Sequence, residues 1–164
     1  DLVILGKEES VQWILSKLRE RFELQESETG DIDYILSMEI KRDRATRSLT
    51  LNQAAAIENI ARNLGIDEEK PSVVTPMKVT PLQYLDQTDR DCIRFPYLNV
   101  VGSLLHVAQC TRPDISYAVG ALARHSASYG QEHIKAVKRV VQYLYNTRHL
   151  CIRYQGSNTP HDVK

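Results

Sequence analysis

The amino-acid sequence predicts an α+β protein, and two observations carry that class. Apolar residues alternate at every second position between about residues 32 and 51, as in a half-buried strand. After Leu51 they recur at three- and four-residue steps, as on one stripe of a helix. The two periods occupy separate stretches, so strands and helices are expected to segregate. With 164 residues, 42% of them apolar and 26% charged, the chain is long enough for one domain or for two small modules sharing a core.

Leu2-Val3-Ile4-Leu5 is a short apolar run ending at Gly6 and predicts a buried strand. A helix is expected from Glu8 to Phe22, because Val11, Ile14, Leu15, Leu18 and Phe22 make one apolar stripe. Glu8 and Glu9 suit its positive N-terminal end. Ile32, Tyr34, Leu36, Met38 and Ile40 then alternate with polar residues as one strand. Lys41 to Arg47 turns the chain, and Ser48 to Leu51 returns to make a hairpin.

Ala54, Ile57, Ala61 and Leu64 describe the next helix, with Asn52 as N-cap and Gly65 as terminator. From Asp67 to Arg94 there are three prolines and no sustained period, which predicts a long connector and a modular boundary. Three helices are expected beyond it. The first starts at Pro96 and buries Tyr97, Val101, Leu104, Leu105 and Ala108. The second opens on Thr111-Arg112-Pro113-Asp114, which has capping-box spacing, and buries Ile115, Ala118, Val119 and Leu122. The third spans Gln131 to Asn146 and buries Ile134, Val137, Val141 and Leu144. Leu150, Ile152 and Tyr154 alternate as a closing strand, followed by a linker-like tail.

No apolar run approaches the length of a membrane span, and no signal peptide opens the chain. Cys92, Cys110 and Cys151 are isolated and odd in number, which favours a reduced, intracellular protein over a disulfide scaffold. No short Cys/His spacing points to zinc. Net charge is zero but uneven. Through Lys70 there are 10 Lys/Arg against 15 Asp/Glu, and from Pro71 onward 11 against 6. The basic second half is compatible with a polyanionic partner and equally with a solvated helical surface.

Gly102-Ser103-Leu104-Leu105-His106, Thr111-Arg112-Pro113-Asp114-Ile115, Tyr117-Ala118-Val119, His133, Ala136-Val137-Lys138-Arg139, Tyr143-Leu144 and Thr147 follow one another in order. Upstream stand Tyr34-Ile35-Leu36-Ser37-Met38-Glu39-Ile40, Leu51-Asn52-Gln53 and Thr75-Pro76-Met77. This series resembles the Ty1/copia type of retrotransposon polyprotein, in the C-terminal part of its reverse transcriptase, an RNA-directed DNA polymerase. The resemblance implies a palm edge with a primer-grip-like hairpin over residues 1–52. A thumb helix and connector would occupy 53–95, a helical thumb and connection module 96–154, and a linker toward RNase H 155–164. Asp1 resembles the second aspartate of the family's Tyr-x-Asp-Asp, so the resemblance makes it a catalytic and metal-holding remnant; on the residues alone it is an exposed chain end. Ser37 stands where the family has glycine.

In the intact polymerase, carboxylates hold two Mg²⁺ ions for nucleotidyl transfer on a template–primer. The fragment alone is expected to bind no metal and to lack activity. The implied partners are an RNA or DNA template–primer, the upstream fingers and palm, and the downstream RNase H. The implied setting is a cytoplasmic virus-like particle whose cycle includes a nuclear stage. The alternative is an inactive relic or a domesticated helical module that binds nucleic acid or protein. Ser37, Arg124, Lys135, Lys138, Arg139 and Arg148 form the expected nucleic-acid-facing set, with a solvated surface as the bland alternative. Thr111, Arg112, Asp114 and His133 are expected to be structural. Trp13 and the eight tyrosines could suggest base stacking, but Tyr97 and Tyr117 sit in apolar helical patterns and are expected to pack.

Overall fold

A computed structural model describes residues 2–24, 32–69, 71–78, 80–83 and 94–156. Along the chain these form α1 (Glu8–Arg19), β1 (Tyr34–Ile35), β2 (Met38–Asp43), β3 (Ser48–Asn52) and α2 (Ala54–Asn63). Then come α3 (Tyr97–Cys110), a 3₁₀ turn (Pro113–Ile115), α4 (Ser116–Ala123), α5 (Gln131–Asn146) and β4 (Ile152–Gln155). The class is the expected mixed α+β, with one antiparallel sheet in the order β1-β2-β3-β4 and a bundle of helices.

The core lies among α2, α3, α4 and α5. Ile57 and Ala61 of α2 meet Val101, Leu104 and Val107 of α3, Val119 and Leu122 of α4, and Val137, Val141 and Leu144 of α5. Each helix contributes residues at three- and four-residue steps, so the core follows directly from the sequence period. Tyr97 is 1% exposed, stacks on Tyr129 with ring centroids 4.4 Å apart, and donates its hydroxyl to the Leu122 carbonyl at 3.0 Å. Gly65 ends α2 at φ +63°, where a residue with a Cβ is strained. The sheet contributes no buried residue.

Three expectations about the first half are corrected. Leu2 to Leu5 is not a strand: Leu2 is 70% exposed and Leu5 87%, and no strand pairs with them among the described residues. Helix α1 ends at Arg19 rather than Phe22, and its apolar stripe is nowhere fully buried; Trp13 and Phe22 stay exposed.

The stretch expected as a single strand from Ile32 to Ile40 is instead a tight hairpin. Tyr34 pairs with Glu39 and Ile35 with Met38, around a two-residue loop in which Leu36 has φ 48° and Ser37 φ 63°. Positive φ at both central residues is the turn geometry whose twist matches paired strands. Directly paired residues share a face and here differ in number by an odd amount, so the alternation changes face across the turn: half-buried Ile35 lies with Met38, and exposed Tyr34 with Glu39. The next hairpin forms as expected, but β2 runs on to Asp43. That residue's carboxylate accepts from the Ala45 and Thr46 amides and the Thr46 hydroxyl, closing the loop.

Strand β4 returns from the end of the chain to pair with β3, Leu51 opposite Ile152 and Ser48 opposite Gln155. Just beyond it the Gly156 amide donates to the Arg47 carbonyl at 2.8 Å. A Cβ there would come within 2.9 Å of the Arg47 side chain, so this close approach requires glycine. The N-cap of α2 is Gln53, with no side-chain cap, rather than the expected Asn52. Asn52, one residue earlier, accepts from the Ala54 amide, and its own amide donates to the Arg148 and Leu150 carbonyls. The sheet and the end of α5 are thereby tied together.

Candidate nucleic-acid interface

Helix α5 is the element that orders the basic residues. Its apolar side is sunk in the core, so Lys135 and Lys138 project outward and Arg139 lies half-buried along the flank. The Lys135 ammonium pairs with Glu132 at 2.7 Å. Arg139 donates to the Thr75 hydroxyl at 3.0 Å, while its enclosed Nε has no partner among the described residues. Lys135 and Arg139 line a groove of about 490 Å³ between α5 and the connector, shared with Met77, Lys78 and Leu82. Arg124, at the end of α4, borders a second hollow of about 300 Å³ across the connector. Lys138 lines neither.

The remaining expected residues lie elsewhere. Arg148 pairs with Glu58 at 3.1 Å and Glu68 at 3.0 Å, donates to the Tyr145 carbonyl, and sits 4.4 Å from the centroid of the Tyr145 ring. Its donors are largely committed within the fold. Ser37 is exposed at the β1–β2 turn, where the adjoining Leu36 carbonyl is held by His106 Nε2 at 3.0 Å. Asp1 falls outside the described residues.

Arg112 is 2% exposed and makes four hydrogen bonds. Two go to the Asp114 carboxylate at 2.8 and 3.0 Å, one to the Thr147 carbonyl at 3.0 Å and one to the Thr147 hydroxyl at 2.7 Å. Tyr143 adds its hydroxyl to Asp114 at 2.8 Å. Burial pushes the Asp114 carboxyl up, but the Arg112 and Tyr143 hydrogen bonds and the Arg112 charge together hold it below the ordinary carboxylate value.

The capping box expected at Thr111 does not form, because Thr111 instead donates its hydroxyl to the Gln53 side chain at 2.8 Å. Asp114 is drawn to Arg112 rather than back to a helix amide. The 3₁₀ turn at Pro113 separates the would-be cap from α4.

His133 starts α5 with half of a capping box: its Nδ1 accepts from the Gly130 amide at 3.1 Å. Its ring lies 4.3 Å from that of His125, centroid to centroid. Burial pushes both histidines below their ordinary value. Arg124 adds to the effect on His125, and a proton on His133 is further opposed by His125.

Three residues of consequence are not singled out by the sequence pattern. Gln53, 2% exposed, bridges the start of α2 to the end of α3 through Thr111, and nothing in its local period marks it. Lys78 borders each of the hollows along the connector, in a stretch that gives no periodic signal. Tyr117, expected to pack, is 79% exposed. Here a signal exists, since at 100° per residue position 117 lies opposite the face defined by Ile115, Ala118, Val119 and Leu122.

With its helical core, four-stranded sheet and basic flank, the chain is a mixed α+β module with no group of three or more His, Cys, Asp or Glu able to hold a metal among the described residues. It is a distant relative of retrotransposon Pol polyproteins. It is 32% identical, over 96% of its length, to the retrovirus-related Pol polyprotein from transposon TNT 1-94 of Nicotiana tabacum, covering 12% of that protein. It is likewise 32% identical, over 97% of its length, to the corresponding polyprotein from transposon RE1 of Arabidopsis thaliana, covering 10%. A mitochondrial protein of Arabidopsis thaliana, AtMg00810, is 28% identical over 90% of the chain and is covered for 59% of its length. The chain therefore spans about a tenth of the two polyproteins it matches. No protein-family model matches it, and no solved structure matches it.

Proposed function

We propose that this chain serves a retroelement Pol polyprotein as a non-catalytic helical module that contacts nucleic acid. The observation that carries the reading is the division of α5: an apolar side buried in the core, and Lys135, Lys138 and Arg139 on the other sides, two of them exposed. Helix packing presents these charges without asking them to stabilise the fold. Such charges give sequence-independent attraction to phosphates. The similarity to Pol polyproteins over nearly the whole chain supports that partner over a merely solvated face.

In an intact polymerase the same module would supply the palm edge and thumb of an RNA-directed DNA polymerase, downstream of the fingers and ahead of RNase H. In this reading Mg²⁺ and the nucleotidyl-transfer step are supplied by other parts of that polyprotein; among the described residues no group of three or more His, Cys, Asp or Glu could hold a metal. A relic that retains binding without polymerisation is favoured by the same observation.

One experiment tests both halves. The chain is titrated into a fluorescent RNA/DNA hybrid at several salt concentrations, and the same preparation is offered a primer–template with nucleotides and Mg²⁺ or Mn²⁺. Binding that weakens steeply with salt, is indifferent to sequence, and is diminished by the triple substitution Lys135→Ala/Lys138→Ala/Arg139→Ala is expected, with no primer extension. Equal affinities and equal salt slopes for the two chains would return these residues to a solvated surface, and extension by the chain alone would reverse the assignment of catalysis elsewhere.

A further inference from the structure

Three hollows along the connector beside Met77 share one basic side chain, Lys78. On the α4 side, hollows of about 250 and 300 Å³ are bordered by Tyr117 and, in the larger, Arg124. On the α5 side the groove of about 490 Å³ carries Arg139 and the Lys135–Glu132 pair. Lys78 borders all three and lies near enough to Glu132 to help hold that carboxyl below its ordinary value, after the larger effects of the Lys135 hydrogen bond and charge. Among the described residues, the carboxylates of this face are occupied: Glu132 by Lys135, Asp114 by Arg112. Among those residues Lys78, Arg124 and Arg139 leave a positive excess. His125 and His133, buried below the floor, are held toward the neutral form and do not add to it at neutral pH.

Among the described residues, Tyr117 is the one tyrosine, phenylalanine or tryptophan bordering these hollows, and its 79% exposure is hard to reconcile with a packing role. An exposed ring between cations is the arrangement that accepts a strand with unpaired bases: phosphates follow the charges, and a base covers the ring. A duplex keeps its bases stacked inside and gains little from such a ring. Resting on the nucleic-acid reading above, we propose that this face is a track for a single nucleic-acid strand, with Tyr117 as the stacking platform and Lys78, Arg124 and Arg139 as phosphate-binding groups. Charge complementarity selects the strand over an apolar peptide, because Met77 and Leu82 turn inward against the core and leave Lys78 and Arg124 exposed, with Arg139 half-buried along the groove.

The test compares a labelled oligothymidylate strand with a blunt duplex of the same length, each titrated with the whole chain by fluorescence anisotropy across a salt series. Tyr117→Ala is expected to weaken strand binding about fivefold or more. It should leave duplex binding within about twofold, and Tyr117→Trp should restore the strand affinity. Lys78→Ala/Arg124→Ala should weaken strand binding and reduce the salt slope by about 0.7 for each phosphate no longer neutralised. Thermal melting of each variant checks that these surface substitutions leave the fold intact. Wild-type binding to the strand with unchanged affinity and slope in all variants would overturn the track while leaving the wider reading in place. Failure of the wild type to bind either probe would overturn both.

Discussion

The helices beyond the connector and the segment before β3 obey the same amphipathic rules but meet different fates. In α3, α4 and α5 the apolar stripe closes on itself, and Leu104, Val119, Leu122 and Val137 are wholly buried. In α1 the stripe of Val11, Ile14, Leu15 and Leu18 is only half covered, while Leu2, Leu5, Trp13 and Phe22 stand in solvent. Amphipathicity specifies that a face should be covered. It does not specify by what, and only contacts of high sequence separation supply the cover. The helical region holds its own partners within the described chain; among the described residues the first region's apolar side chains stay largely uncovered.

The widest separation between the two regions should come from one substitution made in both. Leu104→Ala opens a cavity among α3, α4 and α5 and should cost about 2–5 kcal/mol in chemical denaturation. Leu5→Ala removes a side chain already 87% exposed and should stay within about 0.5 kcal/mol. A comparable cost at both sites would break the comparison. A cost at Leu5 that arises only when upstream polyprotein sequence is joined to the chain would sharpen it.

Next in size is Arg112→Ala, at about 3 kcal/mol. The change strips four hydrogen bonds from a buried site and leaves the partly exposed Asp114 with only Tyr143. Because Thr147 sits at the end of α5, loss of protection in its amide and in the following turn should accompany the destabilisation. Arg112→Lys should recover little, since an ammonium cannot reproduce a forked contact to a carboxylate and a second segment at once.

Acid should act on the helical region first. His125 and His133 have lowered values in the folded chain, so the unfolded chain takes up protons before the folded one as pH falls. Their contribution is present in full above the ordinary histidine value of about 6.5 and is lost as pH falls through that value toward the lower folded one. The slope cannot exceed about 1.4 kcal/mol per pH unit for each histidine. Asp114 acts in a separate, more acidic window: its lowered value gives stability above 3.8 that is lost below it. Denaturant midpoints measured between pH 7.5 and 5 should fall for the wild type and flatten for His133→Gln, whose side-chain carbonyl oxygen can still accept from the Gly130 amide. An unchanged pH profile in that variant would remove His133 from the explanation.

Most of the helical region is legible in the sequence because its cover is internal. The period of α5 gives both its ends and its buried face, and it places Tyr97 of α3 in the core by the same logic. What is not legible needs information from outside the local pattern. Thr111 has capping-box spacing, but a buried Gln53, 58 residues away, competes for its hydroxyl. Arg148 looks like any basic residue near a helix end until α2 and the following loop bring Glu58 and Glu68 to it. Within the interface, the charges of α5 follow from spacing. Lys78 does not, because an aperiodic connector carries no signal of which helices it will cross.

The smallest expected effect concerns the turn at Leu36-Ser37, and it tests whether the first region unfolds with the helical core or apart from it. Ser37 at φ 63° occupies a conformation that glycine adopts without the steric cost a Cβ imposes. A glycine at this position would meet the turn geometry without that cost. Ser37→Gly should stabilise the hairpin by about 0.5–1 kcal/mol, the relief of strain exceeding the added entropy of the unfolded chain. The sheet contributes no buried side chain, so a global melt registers this gain only if sheet and helices unfold together. Amide exchange distinguishes the cases. The Ile40 amide donates to the Asp33 carbonyl at 2.7 Å, across the hairpin, and reports on its opening directly. Slower exchange at Ile40 with an unmoved global midpoint would mean that the hairpin opens on its own and that the two regions are energetically distinct. Slower exchange accompanied by a higher midpoint would join them through the β3–β4 ladder and the Asn52 hydrogen bonds. Faster exchange in the glycine variant would show that Ser37 is not strained and that its positive φ is the preferred state of this loop.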